Sequence, residues 1–361
     1  MKIRILFLGF IFLTFAQLVS AQNKKEKALI KAKTAQKLLD AGNADSAMVL
    51  LGQAIKLDPE SIDYPYELAY SMIAKKEYAL ALTNLQALFE RKDVSDLIYE
   101  LAGNCYENLQ QPDKAMETYQ AGLKKFPHSG RLYQESGLYE TSQKEYNRAL
   151  VYFEKGIETD PSFASNYYWA SKLFCHSTES VWGMIYGEIF VNLERSSKRS
   201  EEISKLLFDT YKSQIKFRAD TTFTINFSKQ ASPDPSDTVA MKNKKIPFGV
   251  GAYEPTLALA VLGESEIELN TLDRIRQRFV DTYFKNDMNS LYPNILFDFQ
   301  REVIKAGQFE AYNHWLLMEG DRKAFNEWHK INTEKWLSFG YWFKDHSIKL
   351  DKDHRFYRAQ Y

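Results

Sequence analysis

The sequence predicts an all-α protein. A solenoid of helix–turn–helix units fills the N-terminal half, and an irregular α-helical region follows it. Three observations carry this reading. One small residue recurs every 34 positions, at Ala47, Ala81, Ala115 and Ala149. A second recurs in step, at Ala35, Ala69, Gly103 and Gly137. Proline closes three of the four units at Pro59, Pro127 and Pro161, with Asp93 where the pattern lapses. A fixed period of this length marks stacked helical pairs, none of which can bury its apolar face alone.

Residues 1–21 read as a secretory signal peptide. Lys2 and Arg4 supply a positive start, Ile5 to Val19 is an apolar run, and Val19-Ser20-Ala21 is a small-residue cleavage site. The run is too short to span a bilayer comfortably. No cysteine near the cut could accept a lipid. The expectation is an exported chain, periplasmic or secreted, cleaved after Ala21 and with no stable membrane span afterwards. The formal charge is zero, so nothing electrostatic points to nucleic acid. Cys105 and Cys175 are expected as buried small hydrophobes rather than a disulfide.

The array covers 22–196, with units near 28–61, 62–95, 96–129, 130–163 and 164–197. Counted from these starts, position 8 is Ala35, Ala69, Gly103 and Gly137, and position 20 is Ala47, Ala81, Ala115 and Ala149. Position 24 is Leu51, Leu85, Tyr119 and Phe153; position 11 is Leu38, Met72, Tyr106 and then Glu140, a departure. Small residues let two helices cross closely, large apolar ones fill the space beside the crossing, and proline stops the second helix. This pattern resembles the tetratricopeptide repeat (TPR) family. A fifth unit takes Tyr167, Ser171, Phe174 and Gly183 at the matching positions, but Gly187 departs at position 24.

Residues 197–220 read as a capping helix for the open end, with helical spacing from Ser200 to Phe217. Residues 221–256 read as a strand-like segment and flexible linker. Phe223, Ile225 and Phe227 alternate within it, Ser228 to Lys245 is polar and aperiodic, and 246–256 is irregular but apolar. Residues 257–361 form the C-terminal helical region. There Asn270 is placed to cap a helix bearing Leu272, Ile275, Phe279 and Tyr283. This half resembles the C-terminal regions of exported bacterial repeat proteins without an assigned function.

No catalytic motif, metal site or cofactor site is read from the sequence. Gly249 and Gly251 are a lone glycine pair. His346, Asp351, Asp353 and His354 fit no metal-ligand spacing and read as a charged tail. Tyr312, Trp315, Trp328, Trp336, Tyr341 and Trp342 form an aromatic cluster, and such residues at helical spacing are more often core than ligand platform. His314 and Glu319 lack a third group that would make them an acid–base pair.

The resemblance implies a function of binding. In the family, first helices line the concave face through positions 2, 5, 9 and 12. Carried over, the partner-binding residues are Tyr66, Tyr70, Asn104, Glu107, Arg131, Gln134, Tyr168 and Lys172, with Asp63, Glu100 and Leu138 on the same face. The lysine–asparagine clamp that some members close on a free carboxylate is not matched. The expectation is a scaffold or adaptor for a protein or peptide in the cell envelope, not an enzyme. Two alternatives stay open. One is a glycan- or small-ligand-binding protein using the aromatic C-terminal half. The other is an enzyme with an unrecognised site there.

Overall fold

The computed structural model describes residues 22–218, 222–229 and 246–361. The signal-peptide reading of 1–21 and the loop at 230–245 lie outside them. The described chain packs as two compact units, the first ending at Tyr139 and the second running Glu140–Tyr361. Helix dominates both.

The first unit stacks helical pairs: α1 (22–40) with α2 (Ala44–Leu57), α3 (Asp63–Ala74) with α4 (Tyr78–Gln86), and α5 (Asp96–Asn108) with α6 (Pro112–Lys125). The recurring small residues Ala35, Ala47, Ala69, Ala81 and Ala115 are fully buried. Leu51, Leu85 and Tyr119 beside the crossings are at most 1% exposed, and each such side chain contributes about 1.5–3 kcal/mol by burial. At Gly103 the helices touch: a Cβ there would sit 2.0 Å from the Tyr119 ring. Where proline is missing, α4 ends early at Gln86, and Arg91 closes the unit by pairing with Asp93 at 2.9 Å and donating to the Pro59 carbonyl at 3.3 Å.

The turn inside each pair repeats as faithfully as the core. Gly42, Lys76, Gln110 and Lys144 all have φ between 60° and 77°, and they stand 34 residues apart. Only one of the four is glycine.

The helix α7 (Gly130–Ser142) is followed in the second unit by α8 (Tyr146–Thr159), α9 (Ala164–Cys175), α10 (Ser180–Leu193) and α11 (Lys198–Gln214). Ala149 and Phe153 are fully buried. Glu140, at the departing position, is 1% exposed and pairs with Arg148 at 2.9 Å. In the last pair, Ser171 Oγ donates to the Gly183 carbonyl at 2.8 Å. A Cβ on Gly183 would lie 2.5 Å from the Cys175 backbone nitrogen, and one on Gly187 would lie 2.6 Å from Ser171 Oγ. The departure at Gly187 is therefore a closer approach within a formed helix. Cys105 and Cys175 are both free and buried.

Helix α10 is buried on nearly every side, as an almost wholly apolar helix must be. The C-terminal helices pack around it: α12 (Glu254–Val261), α13 (Leu269–Lys285), the short α14 (Met288–Leu291), α15 (Ile295–Lys305), α16 (Phe309–Leu317), α17 (Arg322–Ile331) and α18 (Thr333–Asp345). Glu188 of α10 is held by Arg276 Nη2 at 2.7 Å, Gln300 Nε2 at 2.6 Å and the Tyr312 hydroxyl at 2.8 Å. Arg276 also donates to Asn313 at 2.7 Å and to the Tyr211 hydroxyl at 3.0 Å. The segment 356–361 returns to the same helix. Arg358 N donates to the Tyr186 hydroxyl at 2.8 Å, its guanidinium pairs with Glu154 at 2.6 Å, and Phe356 and Tyr361 pack beside Trp182.

Three local readings are corrected. The capping helix stops at Gln214 instead of running to Phe217, because Ile215–Phe217 (β1) pairs antiparallel with Phe223–Ile225 (β2), and Ile215 faces Ile225. Residues 249–253 are a π-helical turn that leads into α12, not irregular chain; Gly249 fits against the Ser228 side chain. Glu268, not Asn270, caps α13, through a box with Thr271.

Candidate functional site

The first helices of units two to four supply a polar face in the first compact unit. Tyr66, Glu67 and Tyr70 come from α3; Glu100, Asn104 and Glu107 from α5; Arg131, Gln134 and Glu135 from α7. Steps of three and four residues keep each set on one side of its helix. Tyr70 is 49% exposed, whereas Tyr66 is half-buried against the core.

The face is hydrogen-bonded from below and charged above. Tyr119, from the second helix of unit three, donates its hydroxyl to Asn104 Oδ1 at 2.6 Å. Arg131 Nη1 donates to Glu100 Oε2 at 2.7 Å, and its Nε lies 3.4 Å from Asp96. Gln134 donates to Glu135 Oε1 at 3.0 Å. Glu135 is only 8% exposed, and its carboxyl is pushed up to about 8, first by desolvation and then by repulsion from Glu100 and Glu107. Burial also raises Glu107 and Glu67. Burial raises the Tyr66 hydroxyl too, and it lies in the field of Glu67, Glu100, Tyr70 and Arg131. Glu67, Glu100, Glu107 and Glu135 thus share this face with the guanidinium of Arg131, and Asp63 and Asp96 lie beside them.

The structure brings together Tyr66, Tyr70, Asn104, Glu107, Arg131 and Gln134. Tyr168 and Lys172 form a separate cluster in the second unit, and that cluster is internally closed. Lys172 pairs with Glu202 of α11 at 2.6 Å, and the Tyr168 hydroxyl donates to the same carboxylate. Glu67 and Glu135 were not among the sequence-read site residues. Both occupy position 6 of their units, and a charged residue there in two units is the signal that marks them.

Elsewhere the candidates resolve into structure. His314 is 2% exposed, stacks on Trp328 with ring centroids 4.1 Å apart, and bonds to the Glu310 carbonyl at 2.8 Å and Asn270 at 3.1 Å. Glu319 pairs with Arg322. Asp351 accepts from His354 Nδ1 and from the amides of 353 and 354, which folds the tail turn. Among the described residues no group of three or more His, Cys, Asp or Glu side chains could hold a metal ion, and no helix is long and apolar enough to cross a membrane. Tyr312 and Trp328 of the aromatic cluster are buried, while Tyr341 is 78% exposed.

A family model described as "Tetratricopeptide repeat" matches residues 99–129, which carry α5, α6 and the Gly103–Tyr119 contact. Residues 99–129 match the tetratricopeptide repeat, and the array around them is similar to that family. The chain is similar to Tetratricopeptide repeat protein 21B of Mus musculus, 25% identical over 135 residues that make up 37% of this chain and 10% of that protein. It is also similar to Tetratricopeptide repeat protein 8 of Caenorhabditis elegans, 31% identical over 99 residues, 26% of this chain and 19% of that one. The chain thus spans less than a fifth of the length of either relative. Among solved structures, PilF of Pseudomonas aeruginosa aligns with a TM-score of 0.45 at 19% identity, covering 53% of this chain and 86% of that one. A thermophilic TPR protein of Thermus thermophilus, TTC0263, aligns with a TM-score of 0.41 at 14% identity, covering 50% and 98%. Tetratricopeptide arrays are scaffolds that bind peptides or proteins, and the family is in general not enzymatic.

Proposed function

We propose that this chain is an exported adaptor whose first-helix face, in units two to four, holds an extended protein segment bearing a lysine or arginine. The observation that carries this reading is the excess of carboxyl groups over Arg131 on that face. Desolvated carboxylates favour a cation that restores their lost solvation. Tyr66 and Tyr70 offer aromatic surface to the rest of such a segment. The envelope location rests on residues 1–21 alone, with cleavage after Ala21 and a periplasmic or secreted product.

The test is in-cell photocrosslinking. A crosslinking residue replaces Tyr70, and a matched control replaces exposed Lys124. A discrete heavier band from position 70 alone, whose crosslinked peptide contains a lysine or arginine, is the expected outcome. Equal labelling from both positions, or a crosslink only within the chain itself, overturns it. Cell fractionation with N-terminal sequencing tests the location: the expected mature chain begins at Gln22, and an uncleaved cytosolic chain refutes export.

A further inference from the structure

A second cleft lies in the second compact unit, and its chemistry differs from that of the carboxyl-rich face. It has a volume of about 270 Å³. Trp315, Trp336, Met318, Val191, Arg195 and the serine-rich turn into α11 line it. The volume is just below the usual range for ligand pockets, roughly 300–1,000 Å³, and suits one small ring rather than a length of peptide.

Both tryptophans are half-buried. Their hidden sides pack on the unit's core: Trp315 meets Phe343 at 4.8 Å between ring centroids, and Trp336 meets Phe325 at 5.3 Å. Neither indole N–H has a hydrogen-bond partner among the described residues. Neither indole nitrogen is buried, so both donors are open to solvent and to a ligand in the cleft.

Arg195 is also incomplete. Its guanidinium donates to the carbonyls of Asn192 at 3.2 Å, Phe343 at 2.6 Å and His346 at 2.9 Å, and it lies over the Phe343 ring at 3.7 Å. These contacts fix its position. No carboxylate among the described residues pairs with it. Desolvation accordingly pulls its pKa below the usual arginine value. A positioned guanidinium without a counter-ion is suited to take a carboxylate from outside. Glu201, an exposed lining residue whose side chain has no partner among the described residues, supplies an acceptor. Glu319 also lines the cleft, but Arg322 neutralises it.

We propose that this cleft binds one acidic sugar ring, a pyranose carrying a carboxylate. The ring's C–H face lies against indole, its hydroxyls accept from the indole N–H groups and donate to Glu201, and its carboxylate meets Arg195. A neutral sugar leaves the guanidinium unpaired, and a simple anion leaves the tryptophans unused. The site lies outside the peptide-binding face and does not depend on it.

The test uses the full chain, ¹⁵N-labelled, titrated with glucuronate and galacturonate, with glucose, galactose, acetate and inorganic phosphate as controls. The readout is the indole N–H resonances of the 6 tryptophans. Saturable shifts of the Trp315 and Trp336 signals by a uronate, with glucose and galactose about tenfold weaker or worse, are expected. Trp336→Phe keeps the ring packing and removes the donor, and it should weaken uronate binding about tenfold. Glu201→Ala, at an exposed position, gives a second reading that does not threaten the fold and should also weaken binding. Four results overturn the proposal: no shift with either uronate, equal shifts with the neutral sugars, equal shifts with acetate or phosphate, or unchanged uronate binding in both variants.

Discussion

Arg276 Nη2 lies 2.7 Å from Glu188 Oε1 in the interior of the second unit, joining α13 to α10, and both side chains are at most 6% exposed. Removing one partner of such a pair strands a charge in a low-dielectric interior, which costs about 3–5 kcal/mol, whereas replacing the whole pair by apolar groups is often neutral. Arg276→Met is therefore expected to lower the stability of the full chain by that amount in urea. Arg276→Met combined with Glu188→Leu should recover part of the loss. A single Arg276→Met variant as stable as the parent would show that the pair does not hold the helices together.

The two units should respond to pH in opposite directions. In the first, the Glu135 carboxyl is raised from 4.5 to about 8. The folded state then binds a proton that the unfolded state has released, so this group costs stability as pH climbs from about 4.5 to about 8. Glu135→Gln should be more stable than the parent at pH 9, relative to the difference between the two at pH 4. In the second unit, desolvation lowers His314 below 6.5. Its stabilising share is present above that value and is lost as pH falls through it. His314→Gln should flatten the acid side of the profile. Urea midpoints measured from pH 4 to pH 9 check both signs.

If a cation meets Glu135, the carboxyl must release its proton on binding. Affinity for a lysine-bearing segment should then rise between pH 6 and about 8 and level off above. Glu135→Gln should abolish that rise. Calorimetry in two buffers of different ionisation enthalpy would detect the released proton.

The repeated left-handed turn offers a route to stabilisation. Gln110 holds φ 60° and is exposed. A non-glycine residue pays roughly 1–2 kcal/mol for that conformation, partly offset in glycine by its greater freedom when unfolded. Gln110→Gly should stabilise by about 0.5 kcal/mol, and Gly42→Ala should destabilise by at least as much. Thermal melts of both variants decide the matter.

The close helix crossing in the last pair leaves no such latitude. A Cβ on Gly183 meets backbone at 2.5 Å, so a neighbouring rotamer change cannot relieve the clash. Gly183→Ala should cost about 1–3 kcal/mol or more through displacement of the two helices. Denaturant curves on the variant measure it.

The repeat core was legible in the sequence because its demands are steric and periodic. Ala35, Ala69 and Gly103 admit a crossing that no larger residue allows, and the same demand returns every 34 residues. Most of the polar face followed from the same register. Glu67 and Glu135 escaped because position 6 is not among the family's usual contact positions, and their importance comes from being desolvated together. Tyr168 and Lys172 are taken up locally because Glu202 reaches them from α11, which has left the register. The turn residues Lys76 and Lys144 carry no local turn signal, so their left-handed geometry is visible only in the backbone. Ile215 continues a helical apolar stripe, yet pairing with Ile225 draws it into a strand. The two open indoles and the unpaired Arg195 come together only through tertiary packing.

Arg358 and Phe356 hold Tyr186, Glu154 and Trp182, residues that lie more than 170 positions earlier in the chain. During synthesis, α8 and α10 emerge long before the segment that seals them. Until then Trp182 and Tyr186 are only partly covered, so the second unit completes its packing later than the short-range pairs of the first.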